Sequence, residues 1–337
     1  MGSNLPPASG VRVPAEEMHP FVESLFLAAG MSGEHATLMA RLLIRMDLRG
    51  VFSHGTRSAP GYIQMIRRGR VNPRPRIRVV TETATTRVLD GDGGMGHIPC
   101  YEGARWAVDQ ARAFGTAAVT TRNHFHFGGA SKYTLLALES DCIGIAISSH
   151  RYNLAPEAPI TSVNGASPIS VALPAGQQPP LVLDMGAGLL PWDEDLYNRL
   201  PFSYYKDLGI AAINRALGGV LPGIYLPPFC PPESPWESNQ GSFIAVFSVA
   251  CFMPIEEFRQ QMDRFIGAAR AMRPFPGQKS AELPGGLEHQ RQVDWAREGI
   301  PISPEHEASL TALAAELEVT TPFEPYQHTR FEHAPVP

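Results

Sequence analysis

Cysteine is scarce in this chain and its four copies lie far apart: Cys100, Cys142, Cys230 and Cys251 make no C-x-x-C pair and no repeated spacing. The pattern excludes a disulfide framework and a zinc knuckle, and it suits a reducing cytoplasm. Long apolar runs are missing too. The longest, FIAVFSVACFM over 243–253, falls well short of the ~20 residues a bilayer-spanning helix needs. The first residues hold no basic segment followed by an apolar core, so neither a membrane span nor a secretory leader is expected. Positive charge is not in excess: 28 Lys and Arg against 33 Asp and Glu leave a net charge of −5. A nucleic-acid partner would want a basic face, which leaves small molecules as the expected partners. Internal repeats are absent as well.

The 337 residues, 44% of them hydrophobic, suffice for two packed regions. From Pro14 to Gly69 the pattern is helical. Ser32 is expected to cap a helix whose Met39, Leu42, Leu43 and Met46 share one face and which ends near Gly50, and a second helix carries Tyr62, Met65 and Ile66 and stops at Gly69. Pro73 and Pro75 break the chain. Beyond them, TAAVTT (116–121), CIGIAISS (142–149), PISVALP (168–174) and LVLDM (181–185) read as strands, with helices expected over 101–114, 129–140 and 205–218. After FIAVFSVACFM the pattern returns to helix. The expected organisation is therefore α+β: a helical domain made from residues 1–76 and 254–337, the latter including a tail, around a sheet domain over 77–253. The stretch 219–241, rich in Pro and Gly, reads as a long excursion.

Residues 91–96, GDGGMG, fit G-x-G-x-x-G letter for letter. A dinucleotide fingerprint needs a long buried strand before the glycines and an acidic residue about 20 positions on. Here only Val88 and Leu89 precede it as apolar residues, Asp90 and Asp92 would place negative charge beside a phosphate, and TAAVTTRN ends at Arg122 and Asn123. A glycine-rich turn closing a hairpin and leading into a helix is the preferred reading.

Chemistry-bearing residues concentrate in three other places. In RGVFSHGTR, His54 can pass a proton near neutral pH, Ser53 can orient it and Arg57 can pair with a carboxylate; a capping turn with solvated side chains is the alternative. In RNHFHFGG, His124 and His126 would share a strand face, but no third ligand has a recognisable spacing and no metal is expected; the glycine pair can bring backbone N–H groups to an anion. Asp184 ends the strand LVLDM, where a carboxylate needs a partner such as His54, unless it merely caps the next turn. Lys206 stands near the start of a helix. Arg151, after the strand CIGIAISS, joins Arg57 and Arg122 as a candidate carboxylate clamp.

RGVFSHGTR, the N-P-R-P break, LDGDGGMG, RNHFHFGG, GASPISVALP, LVLDM and YYKDLGIAAINRALGGVLPG occur in an order that resembles the malate/L-lactate dehydrogenase family of NAD(P)H-dependent oxidoreductases. That family includes sulfolactate, ureidoglycolate and diketogulonate enzymes and cyclic-imine reductases, and the resemblance spans about residues 14 to 318. It implies a non-Rossmann fold with a mixed, largely antiparallel sheet domain and a discontinuous helical domain, in a homodimer. It also implies that LDGDGGMG is structural context. Carried over by position, His54 is implied as acid/base with Ser53 beside it, Asp184 as support for that histidine or the cofactor, and His126 as lining the substrate and nicotinamide pocket. Ser167 and Lys206 fall at cofactor positions and His126 at the substrate; Arg57, one residue off the family's arginine, and Arg151, after the strand CIGIAISS, are the arginines assigned to the substrate. The implied reaction is hydride transfer between NADPH or NADH and a small 2-oxo acid, 2-hydroxy acid or cyclic imine.

Departures from the family pattern cluster in the cofactor half. The arginine expected four residues after the histidine is Arg57, three after it, and Ser58 takes the expected place. G-T-N-P has become Gly165-Ala166-Ser167-Pro168, D-M-A-T-S has become DMGAG, the A-R-G-K stretch is missing, and tyrosines precede Lys206. Two alternatives follow from these changes: a cofactor-independent lyase, isomerase or hydratase that reuses His54, His126 and Asp184, or a non-catalytic homologue.

Overall fold

Helix formation in the N-terminal segment follows its punctuation in the computed structural model, which describes residues 4–151, 154–165, 167–226, 236, 238–278 and 280–332. A short strand β1 (Ser9–Val13) leads into helices α1 (Ala15–Ala28) and α2 (Gly33–Leu48). The Ser32 hydroxyl accepts from the His35 N–H at the start of α2. The face made by Met39, Leu42, Leu43 and Met46 is buried, as its spacing requires. Gly50 takes the left-handed turn after α2 at φ +76°. Helix α3 (Ala59–Arg67) ends before Gly69.

The middle of the chain supplies strands β2 (Arg78–Glu82) and β3 (Thr86–Asp90), helix α4 (His97–Phe114), β4 (Thr116–His124), α5 (Ser131–Leu138), β5 (Cys142–His150), β6 (Pro168–Leu173), β7 (Leu181–Gly186), α6 (Glu194–Arg199), α7 (Pro201–Arg215), β8 (Gln240–Ser248) and α8 (Ile255–Arg270). Seven strands form one sheet in the order β2-β3-β4-β8-β5-β6-β7. Every neighbouring pair is antiparallel except β3 and β4, so the sheet is mixed and largely antiparallel, in an α+β fold. Helix α4 buries Ala107, Val108 and Ala111 among Leu89, Val119 and Val246, and α5 buries Tyr133 and Leu136 with Phe127 and Ile244. These two clusters form the apolar interior between the sheet and the helices packed on it.

The chain then adds α9 (Gly286–Glu298), β9 (Ile300–Ile302), α10 (Pro304–Leu317) and β10 (Phe331–Glu332), and β1 pairs with both β9 and β10. Two compact units result. The helical one comprises Met1–Arg74 and Gly286–Pro337, and the sheet unit is Pro75–Gly285. The boundary expected at 254 thus falls at 285 instead, because α8 belongs to the sheet unit. Its Asp263 accepts from the backbone N–H groups of Gly176, Gln177 and Gln178 at 2.9, 2.8 and 3.0 Å, and its Arg259 pairs with Asp141. Helical periodicity revealed α8 but carried no information about which unit it would dock on.

A second correction concerns GDGGMG. It leads into α4 as expected, but it does not close a hairpin: the strands on either side of α4, β3 and β4, are parallel neighbours. The hairpin lies one strand earlier, where the Thr83 N–H donates to the Thr86 carbonyl between β2 and β3. The stretch 219–241 begins in a π-helical turn, Ala216–Val220, that continues α7, while its residues 227–235 and 237, with Cys230, lie outside the described residues.

Candidate functional site

In the helical unit, Ser53, His54 and Arg57 sit in two successive 3-10 turns, Phe52–His54 and Thr56–Ser58, directly after α2. Asp47, fully buried in the last turns of α2, shapes this bend. Its carboxylate accepts from the Thr56 N–H at 3.1 and 3.2 Å and from the Thr56 hydroxyl at 2.5 Å. Because that hydroxyl gives its proton to Asp47, the His306 Nε2–H, 3.0 Å away, donates to the Thr56 oxygen. Burial, with the Arg57 charge adding to it, pushes His306 down to about 3, so it stays neutral. Gly55 is required by the same carboxylate, since a Cβ there would fall 1.8 Å from Asp47 Oδ1.

On this support the Ser53 Oγ lies 2.9 Å from His54 Nδ1, and the Ser58 hydroxyl donates to the Ser53 carbonyl at 2.7 Å. Ser58 therefore braces the bend from within. Arg57 is exposed, with its guanidinium 5.7 Å from the centre of the buried Phe52 ring, which itself stacks on Trp295. The altered spacing of the arginine thus leaves a cation on the surface of the turn and gives the next residue a structural task.

In the sheet unit, His126, Arg151, Ser167, Asp184 and Lys206 are distributed around the ends of β4 to β7 and along α7. His124 and His126 do not share a strand face, because β4 ends at His124 and Asn123 has already turned to φ +54°. His124 is fully buried: its Nδ1–H donates to the Phe125 carbonyl at 2.8 Å, and its Nε2 accepts from the Thr121 hydroxyl at 2.8 Å. Burial pushes it down to about 4. Both ring nitrogens are committed, so His124 has no lone pair for a metal. His126 is half-buried in the following loop, its ring edge-on to His97 at 6.5 Å.

The first glycine of the pair after His126 is set by packing. Gly128, at φ +82°, lies against a buried pair, Lys132 Nζ and His97 Nε2, which are 2.9 Å apart; a Cβ at Gly128 would fall 2.5 Å from His97 Nε2 and 2.8 Å from Lys132 Nζ. Lys132 is one of only three lysines in the chain and is fully buried. The first turn of α5, where an anion was expected, receives Asp184 instead: the Ser131 N–H donates to Asp184 Oδ2 at 3.0 Å.

Ser167 is fully buried with its hydroxyl 3.1 Å from that of Ser149, and its carbonyl accepts from Asn214 Nδ2 and from the Ala187 N–H. Its hydroxyl is directed at β5, while its backbone carbonyl receives α7 through Asn214. Arg151 donates from Nε to the Ile224 carbonyl at 3.1 Å, and Arg122 is buried in β4. Lys206 is exposed on α7, next to Asp207, a buried acceptor for the backbone of Leu189 and Leu190.

The loop 91–96 uses its own backbone donors internally. The N–H groups of Gly91, Gly93 and Gly96 donate to carbonyls of the 122–126 stretch, Gly94 donates to Gly91, and Asp92 donates to the Asp90 carboxylate. A Cβ at Gly96 would fall 2.6 Å from both His124 Nδ1 and the Phe125 oxygen. These glycines let two loops of one protein touch, so no phosphate cradle is formed.

A family model described as malate/L-lactate dehydrogenase matches residues 13–194 and 194–311. The malate dehydrogenase of Pyrococcus horikoshii is 29% identical over 304 residues, covering 79% of this chain and 84% of that protein. Its solved structure aligns with a TM-score of 0.81 over 93% of this chain and 97% of that one. The L-sulfolactate dehydrogenase of Methanocaldococcus jannaschii is 28% identical over 297 residues, 78% of this chain and 85% of that protein. The solved delta1-piperideine-2-carboxylate reductase of Pseudomonas syringae pvar. tomato, 16% identical, shares the fold with a TM-score of 0.68 over 90% of this chain and 99% of that one. Fold and matched span together define a chain of the dehydrogenase class. It belongs to the malate/L-lactate dehydrogenase family.

Asp47, the Lys132–His97 pair and the Asn164 amide discussed below were not singled out from the sequence. Lysine scarcity was the one available signal, and it pointed to Lys132 and Lys206 equally.

Proposed function

We propose that this chain is an NAD(P)H-dependent reductase or dehydrogenase of a small carboxylate-bearing 2-oxo or 2-hydroxy acid, acting as a cytoplasmic homodimer. The observation that carries the reading is the Ser53–His54 pair, held by Asp47 and Gly55, inside a span matched to the family over nearly its whole length. When bound, the nicotinamide exchanges a hydride with the substrate carbon. The chain's own residues handle proton and charge. Ser53 Oγ orients the His54 ring through Nδ1, and the imidazole gives a proton to the substrate oxygen in reduction and takes one from it in oxidation. Arg57, exposed on the same turn as His54, is assigned to the substrate carboxylate.

The sheet unit fits a dinucleotide, though away from the glycine loop. Asn164 Oδ1 is a buried acceptor with no hydrogen-bond partner among the described residues, beside a cleft walled by aromatic rings, which suits a ring with N–H donors. His126, Asp184 and Lys206 are the further residues assigned to cofactor binding, and the choice between NADH and NADPH falls to the test below.

Titration of the full chain with NADH and NADPH in a calorimeter tests the reading, followed by assays of nicotinamide oxidation with 2-oxo acids. Binding of one dinucleotide and turnover that drops by at least ~100-fold in His54→Ala are expected, in line with the worth of a general acid. A folded protein that binds neither dinucleotide would refute it and favour proton-transfer chemistry without a cofactor.

A further inference from the structure

The last stretch of the sheet unit before α7 builds a cleft that the reading above leaves largely unused. Trp192, Tyr197 and Tyr204 meet with ring centres 5.6 to 5.7 Å apart, and Tyr205, Ile160, Thr161, Asn164 and Leu208 complete the wall. The space is about 240 Å³. That is below the ~300–1,000 Å³ of pockets for drug-sized molecules, so it takes one ring system and not a whole dinucleotide.

This arrangement is held from beneath. Tyr204 is buried and its hydroxyl donates to the carbonyls of Pro191 at 2.8 Å and Asp193 at 3.3 Å, fixing the segment that carries Trp192. Asp193 in turn caps α6, accepting from the Leu196 N–H at 2.7 Å, and α6 carries Tyr197. Asp207, buried, accepts from Leu189 and Leu190 and from Asn164 Nδ2 at 3.0 Å. A carboxylate can only accept, so this bond sets the amide's orientation and identifies Oδ1 as the atom left without a donor. A buried acceptor costs stability until a donor meets it. Trp192 and Tyr205 remain 60% and 62% exposed, leaving ring faces available to stack on.

We propose that this cleft binds the adenine ring of the dinucleotide, stacked on Trp192 and Tyr205, with Asn164 Oδ1 accepting from its exocyclic amine. The inference rests on the proposed dinucleotide dependence. Adenine is assigned and not nicotinamide because the lining offers aromatic faces and an amide acceptor for a base, while His54, the acid/base of the proposed reaction, is not part of it. Base–aromatic stacking is worth about 1–3 kcal/mol per base on alanine substitution, which is roughly five- to 150-fold in affinity.

The test compares the full-length chain with Trp192→Ala and Tyr205→Ala, each substituted at an exposed ring and checked for an unchanged melting temperature. AMP, NADH, NADPH, nicotinamide mononucleotide and the hypoxanthine analogue of the bound dinucleotide are titrated by calorimetry, and oligomeric state is measured by sedimentation. Both variants are expected to weaken AMP and the dinucleotide by tenfold or more while leaving the mononucleotide's affinity unchanged. The hypoxanthine analogue, which lacks the amine, should bind the wild-type chain at least fivefold more weakly. Wild-type dinucleotide affinity retained in both variants would overturn the adenine assignment and leave the proposed activity standing. AMP binding that depends on Trp192, with neither dinucleotide bound, would support the adenine site and sink the dinucleotide reading. Loss of self-association in the variants with AMP affinity unchanged would assign the cleft to a second copy of the chain and overturn the proposal. Failure of AMP and both dinucleotides to bind would overturn both.

Discussion

Replacing Gly55 by alanine should damage the helical unit far more than the loss of one glycine's flexibility would suggest. An ideal Cβ at this position falls 1.8 Å from Asp47 Oδ1 and 2.7 Å from its Cγ, and Asp47 is fully buried, so the carboxylate must be displaced. Displacement breaks its bonds with the Thr56 N–H and hydroxyl. Hydrogen bonds to a charged group are worth about 1.5–3 kcal/mol each, so losing two donors costs about 3–6 kcal/mol. That is a large share of the ~5–15 kcal/mol that stabilises a typical domain. Urea denaturation measures the cost, and hydrogen exchange at the Thr56 amide reports whether the bend has opened. A double-mutant cycle isolates the cause: if the clash with the carboxylate is the origin, Gly55→Ala combined with Asp47→Ala should cost little more than Asp47→Ala alone. A Gly55→Ala chain within about 1 kcal/mol of wild type, with the Thr56 amide still protected, would refute this account of the turn.

Acid stability offers a second test. His124 has its protonation held down to about 4 by burial, against an ordinary 6.5, so the unfolded chain binds its proton first and stability falls as pH drops from about 6.5 towards 4. The gap corresponds to about 3 kcal/mol; His124→Gln should flatten that part of the stability curve, and an unaltered slope would contradict it. For the glycine loop, Gly96→Ala is expected to destabilise the sheet unit by more than about 2 kcal/mol through its clash with His124 and the Phe125 carbonyl, without weakening dinucleotide binding in the fraction still folded; calorimetry showing a direct loss of affinity would restore a phosphate role to the motif. Asp263→Ala should release α8 from the β6–β7 connection, seen as faster limited proteolysis between 254 and 285; equal cleavage rates would show that the three backbone bonds contribute little.

Much of the fold was legible because it depends on local rules. The Ser32 cap, the Met39–Met46 face and the strands from TAAVTT to LVLDM are set by propensity, capping and periodicity over a few residues. Strands β1 and β9 passed unnoticed because pairing partners distant in sequence, not their own short patterns, make them strands. The candidate site was legible in identity more than in role. Ser53 and His54 are adjacent in sequence and their contact follows from one turn of chain. Ser167, implied at a cofactor position, lies buried with its hydroxyl against that of Ser149, a placement that nothing local reveals for a residue just before a strand.

By itself the sequence determined the element types, the order of motifs that marks the family, and the weakness of GDGGMG as a fingerprint. Only the tertiary structure decided that β3 and β4 run parallel, that α8 joins the sheet unit, and that Asp47 dictates a glycine at position 55. It alone gathered Asn164, Trp192, Tyr197, Tyr204 and Tyr205 around one cleft. The physical reason is the same in each case. Hydrogen-bonding capacity and apolar surface are properties of single residues, whereas burial, steric exclusion and an acceptor left without its donor exist only once distant segments are packed together.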